Sequence, residues 1–323
     1  MDPADQYSES ASWRLIGVMA VTSLLLCLTG GFYLMPGRAI LPLGGVMILA
    51  GAMIVGHVWK RPRLRVGATA FLQMTLFTIL GVTSAYALAA RAGPLWDDRF
   101  AAADTALGFD WPRVFAAADR APVWLWVGGI AYHSLPAQMI VCIVVLSATC
   151  RRDALRIAVA ANIIAGCVTI AISGAMPALG NLFDPADYDR LWPSVAWLER
   201  DMILGLRDGS WRALDLTQLM GIVSFPSYHA AMPVILAWAQ RELPGWRVLA
   251  SIWSGVTIIA TPTFGGHYGI DVVAGLAIAP LALAAAARLA RAHGSVARSG
   301  AQNRGATGEG CECNDPIVTR RCA

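Results

Sequence analysis

Apolar runs close to 20 residues recur along this chain, and no other feature constrains its fold as strongly. A helix of about 20 residues, rising ~1.5 Å each, spans the ~30 Å hydrocarbon core of a bilayer. Inside lipid every backbone N–H and C=O needs a partner within the protein, so such runs become helices. Only 14% of the residues are charged, against roughly 25% in soluble domains. The expected fold class is therefore all-α: a polytopic transmembrane helical bundle of about eight spans. These fall near 13–34, 39–59, 66–90, 123–149, 155–176, 220–240, 247–264 and 269–290. The expected organisation is an N-terminal segment over 1–12, three helices over 13–90, a second membrane domain over 91–290 and a disordered tail over 291–323. Net charge is only +4, and no nucleic-acid partner is expected.

Short basic loops stay in the cytoplasm. Three such loops, 60–65, 151–156 and 241–247, fall on one side if there are eight spans and both termini are inside. Arg288 and Arg291 at the end of the last span agree. Trp13, Trp59, Trp124 and Trp246 sit near the ends of apolar runs, where an interfacial belt places them. The opposite side carries two longer loops of mixed charge, 91–121 and 177–219. Loops of that length are uncommon unless functional. Cys27, Cys142, Cys150 and Cys167 lie in or beside apolar runs and read as small hydrophobes.

The second long loop leads into the stretch 224–275, which opens with Ser224-Phe225-Pro226-Ser227-Tyr228-His229. It ends with Gly265-Gly266-His267-Tyr268-Gly269-Ile270-Asp271. Between them the chain crosses and returns, so His229, His267 and Asp271 are expected on the non-cytoplasmic face. His267 and Asp271, four apart, share a helix face. A carboxylate there accepts a ring N–H, fixes the tautomer and raises the basicity of the other nitrogen. That arrangement makes His267 a nucleophile and His229 a proton donor to a leaving oxygen. Proline favours a helix's first turn, so a helix is expected to begin near Pro226, with free N–H groups at Ser227, Tyr228 and His229. Gly265 and Gly266 open the next helix, and two helix N-termini then point at one anion. A three-ligand zinc site from the same residues is the alternative chemistry, although neither an HExxH pattern nor a cysteine ligand accompanies it.

Phe225-Pro226-Ser227-Tyr228-His229 and His267-Tyr268-Gly269-Ile270-Asp271 resemble the second and third signatures of the phosphatidic acid phosphatase type 2 (PAP2) superfamily. The pattern FPSxH followed by HYxxD, with 37 residues between the histidines, is most similar to the inositol phosphorylceramide synthase and sphingomyelin synthase branch. The runs 104–111 and 132–138 resemble bacterial members of that branch, and the likeness spans about 94–290. The resemblance implies a six-helix core and a phosphohistidine at His267, with Asp271 orienting it and His229 as acid and then base. It implies no metal and no cofactor. The superfamily's first signature, Lys, six residues, Arg-Pro, is missing, and Thr261 stands six before His267 where many phosphatases have Arg. A phosphoryl transition state needs cationic or amide donors, so Arg207 or Arg212 is expected on the phosphate. Ser227, Gly266, Tyr228 and Tyr268 are the other expected substrate contacts, with His133 a lesser candidate.

The expected function is a membrane enzyme that moves a phosphoryl or phospho-alcohol headgroup on a lipid phosphate or phospholipid. A polyol or lipid alcohol is the expected acceptor. Simple hydrolysis of a lipid phosphate or polyprenyl diphosphate is the first alternative. A non-enzymatic lipid transporter or binding protein is the second. The expected location is a bacterial inner membrane, with the site facing the periplasm and both termini cytoplasmic.

Overall fold

The computed structural model describes residues 3–91 and 93–302, with side chains described between 10 and 291. In chain order the helices are α1 (Pro3–Thr29), α2 (Pro36–Val58), α3 (Pro62–Ala89), α4 (Asp97–Ala106), α5 (Trp111–Asp119) and α6 (Pro122–His133). They continue as α7 (Leu135–Ala148), α8 (Arg152–Ala175), α9 (Val195–Asp208), α10 (Tyr228–Ala239), α11 (Trp246–Ala260) and α12 (Gly269–Gln302). The chain is an all-α polytopic bundle. Its only strand pairing among the described residues is the two-residue contact of Tyr33–Leu34 with Ala213–Leu214.

Six helices among the described residues are long and apolar enough to cross a membrane, and the bent pair α6 and α7 makes a seventh. Two expected spans differ in form. The fourth, expected as one helix over 123–149, breaks at Ser134 and bends by 56°. Pro136 in the first turn of α7 has no N–H to continue the ladder. Beside the break, the Ala131 carbonyl accepts from Ser134 Oγ at 2.9 Å, Gln138 Nε2 at 3.2 Å and Thr257 Oγ1 at 3.2 Å. Side chains of a neighbouring helix thus supply what lipid cannot. The sixth, expected over 220–240, is helical only over the 12 residues of α10, about 18 Å of helix. Residues 220–227 are not helical, and Gly221, Ile222 and Val223 among them line a cavity. α12 continues past the expected end at 290 to Gln302, and 303–323 of the expected tail lie outside the described residues.

α8 runs through the centre, against α3, α7, α10 and α12. Its Ala161, Ile163 and Ala165 are fully buried beside Ile143, Leu146 and Ile235. The ends of the bundle are sorted. Arg151 donates to Glu242 at 2.9 Å, so the α7–α8 and α10–α11 connections lie together. Gly67, at the start of α3, packs against Ser147, which brings the α2–α3 connection to the same end. At the other end the long loops interlock: Trp96 N donates to the Pro177 carbonyl at 2.8 Å, and Leu179 N and Gly180 N donate to Asp97.

Candidate active site

Two helix beginnings meet at the end that carries the long loops. Ser227 caps α10: its Oγ accepts from Ala230 N at 3.3 Å, and its own N–H donates to the Asp271 carbonyl at 3.0 Å. This contact needs α12 to lie against the cap. Gly275 permits it, because a Cβ there would overlap the Ser227 carbonyl. The helix therefore starts at Tyr228, two residues after Pro226. Ser227 is fully buried, its N–H taken by α12 and its hydroxyl by α10.

The N-terminus of α12 is likewise occupied. Asp104 of α4, itself fully buried, accepts from Gly269 N at 2.7 Å and Ile270 N at 2.8 Å, and also from Trp111 Nε1 at 2.7 Å. The expectation that this terminus binds the substrate anion gives way to a carboxylate of the protein itself. A carboxylate on first-turn N–H groups satisfies unpaired donors and the helix dipole together. Gly266 has φ +72, and its carbonyl accepts from Asn181 N at 2.7 Å. A Cβ there would stand 2.5 Å from that of Ala196, so this glycine serves close packing against α9.

These supports fix the His267–Asp271 pair. His267 Nδ1 lies 3.0 Å from the Ser224 carbonyl and 3.3 Å from Asp271 Oδ2. A carbonyl oxygen only accepts, so Nδ1 carries the proton and Nε2 keeps its lone pair. Asp271, fully buried, also accepts on Oδ2 from Tyr268 N at 2.9 Å and Ser224 Oγ at 3.0 Å. The carboxylate is thus locked in place before it orients the ring. The His229 ring stands 6.0 Å from that of His267, centroid to centroid, and stacks on Tyr132 at 4.7 Å. Tyr228 beside it donates to the Asn162 side chain at 3.3 Å, which anchors the start of α10 to α8.

The two rings face different spaces. His267 lines a narrow cavity of about 20 Å³ with Tyr132, Ser224 and Glu199. His229 lines an apolar chamber of about 440 Å³ walled by α3, α7 and α8. Gly221, Ile222 and Val223 line both. Glu199 on α9 is only 4% exposed, and burial pushes its carboxyl up to about 8. Among the described residues no group of three or more His, Cys, Asp or Glu is placed to hold a metal ion.

The structure brings His229, His267 and Asp271 together, with Gly266 lining the His267 cavity and Tyr228 the His229 chamber, and turns Arg207, Arg212 and the Tyr268 hydroxyl to other partners. Arg212 donates to the Leu206 carbonyl at 2.7 Å and lies over the Phe32 ring. Arg207 donates to the Gly93 carbonyl and lines a separate crevice, although Ile203 and Ile222 wall both that crevice and the His267 cavity. Tyr268 turns its hydroxyl to Asp97 at 3.2 Å. His133 packs edge-on against Tyr132. Sequence reasoning missed Ser224, Tyr132, Glu199 and Asp104 as parts of the site. Ser224 begins the first motif, and Tyr132 and Asp104 begin the two family-like runs, so a signal existed for these three. Glu199 had none.

Comparison with protein families gives one match: the PAP2 superfamily model covers residues 98–285, more than half of the chain. No curated protein and no solved structure matches. The matched span begins inside α4 and ends inside α12, so it contains His229, His267 and Asp271 and leaves α1–α3 outside.

Proposed function

Since this chain belongs to the PAP2 superfamily, we propose that it is a lipid phosphotransferase working through a phosphohistidine at His267. The observation that carries the proposal is the His267 tautomer. Both partners of Nδ1 are acceptors, so the free lone pair is on Nε2, with the His229 ring 6.0 Å away. In the first half-reaction, Nε2 attacks phosphorus. The P–N bond forms as the P–O bond to the leaving alcohol breaks, and that oxygen takes a proton from His229. Asp271 balances the positive charge that the phosphorylated ring acquires. In the second half, an acceptor hydroxyl gives its proton to His229, its oxygen attacks phosphorus, and the P–N bond breaks.

The non-bridging oxygens need cationic or amide donors, and of the two arginines Arg207 fits better than Arg212. Its Nη1 is buried without a partner, and its crevice shares Ile203 and Ile222 as lining with the His267 cavity. The FPSxH and HYxxD pattern supports the inositol phosphorylceramide synthase-like branch, with a polyol or lipid alcohol as acceptor. The basic connections gathered at the opposite end support a site facing the periplasm of a bacterial inner membrane, with both termini cytoplasmic.

The test is product analysis. Purified protein with a phosphate-labelled phospholipid is assayed with and without an added polyol or lipid alcohol. Transfer predicts a labelled phosphoester of the acceptor that grows with its concentration. Release of inorganic phosphate alone, insensitive to any alcohol, makes water the acceptor and the enzyme a phosphatase.

A further inference from the structure

The large and small spaces at the site do different work. The cavity beside His267 measures about 20 Å³, and a single water needs roughly 10–15 Å³. It takes no headgroup or chain as it stands. The chamber against His229 measures about 440 Å³, within the ~300–1,000 Å³ of small-ligand sites. Its walls are Met74, Phe77 and Val82 of α3, Met139 and Ile143 of α7, and Ile170 of α8, with Tyr228 and His229 at its inner end. It opens sideways between α3 and α7, where Thr78, Pro136 and Ile140 are exposed. α3 is a candidate membrane span and α7 belongs to the bent one, so this mouth faces lipid.

We infer that the chamber holds the hydrocarbon chain of the membrane alcohol whose oxygen meets His229, and that α3, outside the family match, sets which chain is accepted. The inference rests on the phosphotransferase reading for what happens at His229. Three observations choose a chain as occupant. The lining is apolar, the mouth lies between a candidate membrane span and one arm of the bent one, and the His229 imidazole lines the chamber. A polar headgroup in this chamber would lose its water without gaining partners. A chain gains with every methylene buried. Gly221, Ile222 and Val223 then act as the partition between the chain and the phosphorus at His267.

Photo-crosslinking tests this without depending on turnover. The probe is phosphatidic acid with a diazirine midway along one acyl chain, added to the full-length protein in vesicles. The expected labels fall on peptides from 71–85 and 135–143, in the wild type and equally in His267→Asn. Thr78→Trp with Ile140→Trp narrows the mouth and lowers that labelling at least fivefold. The same double variant is expected to lower the long-chain over short-chain ratio of kcat/KM about tenfold, since buried methylenes carry the preference. Labels confined to the lipid-facing surfaces of α2 or α11 overturn the inference. So does wild-type labelling of 71–85 that the two tryptophans leave unchanged. If the probe labels the chamber but His267→Asn still turns over lipid phosphate, the phosphohistidine reading fails while the chain site stands.

Discussion

At the scale of single residues, the chemistry turns on where protons sit. His267 gives its Nδ1 proton to the Ser224 carbonyl and Asp271. Asp271→Asn offers an amide donor in place of one acceptor, so the ring loses its orientation. Lipid phosphate turnover should fall about 10²–10⁴-fold, the usual range for a disabled acid–base group, and His229→Gln should fall in the same range. Glu199 makes a separate prediction. Its ordinary value is 4.5 and burial lifts it to about 8, so between these pH values the folded protein holds a proton that the unfolded chain has lost. The Glu199 contribution to stability is then full below about 4.5 and is lost as pH rises to about 8. Thermal unfolding across pH 4–9 should show this slope in the wild type and a flatter one in Glu199→Gln. Loss of the slope only in unrelated variants contradicts it. The three central residues were legible because both motifs name them. Glu199 was not, because one carboxylate in an amphipathic loop helix looks like solvated charge until the fold buries it.

At the scale of elements, the placement of His229, His267 and Asp271 depends on how α10 and α12 begin. Asp104 reaches from α4 to two first-turn N–H groups of α12. Asp104→Ala removes the acceptor of three donors, these two and Trp111 Nε1, and each bond to a charged group contributes about 1.5–3 kcal/mol. Measured in detergent, the variant should lose several kcal/mol of stability. Gly275→Leu should separate α12 from the α10 cap, abolishing turnover with or without loss of fold. A Gly275→Leu protein with wild-type turnover contradicts the proposed role of that contact. The sequence made the helices themselves plain through length and hydropathy. It hid the short α10, because apolar residues that line a cavity and those that cross a bilayer have the same composition. It hid the α6–α7 bend too, since Pro136 alone does not say whether a span kinks or merely starts late.

At the scale of the whole molecule, the two ends carry different charge and different work. The basic connections gather at one end through Arg151 and Glu242, and the long acidic-and-basic loops clasp the site at the other. In a cysteine-depleted chain, a cysteine introduced at Asp187 should react with a membrane-impermeant maleimide in intact cells. One introduced at Arg63 should react only after permeabilisation. The reverse pattern inverts the proposed orientation. The basic-loop rule made this sorting readable in advance, whereas the pairing of loops across the bundle needed the fold. The most direct test of the central claim is a trapped intermediate. Brief exposure of the purified protein to lipid carrying labelled phosphate, followed by alkaline denaturation, should leave acid-labile label on the peptide containing His267. The label should vanish in His267→Asn. Label on another residue, or wild-type turnover by His267→Asn, would contradict a phosphohistidine at this position.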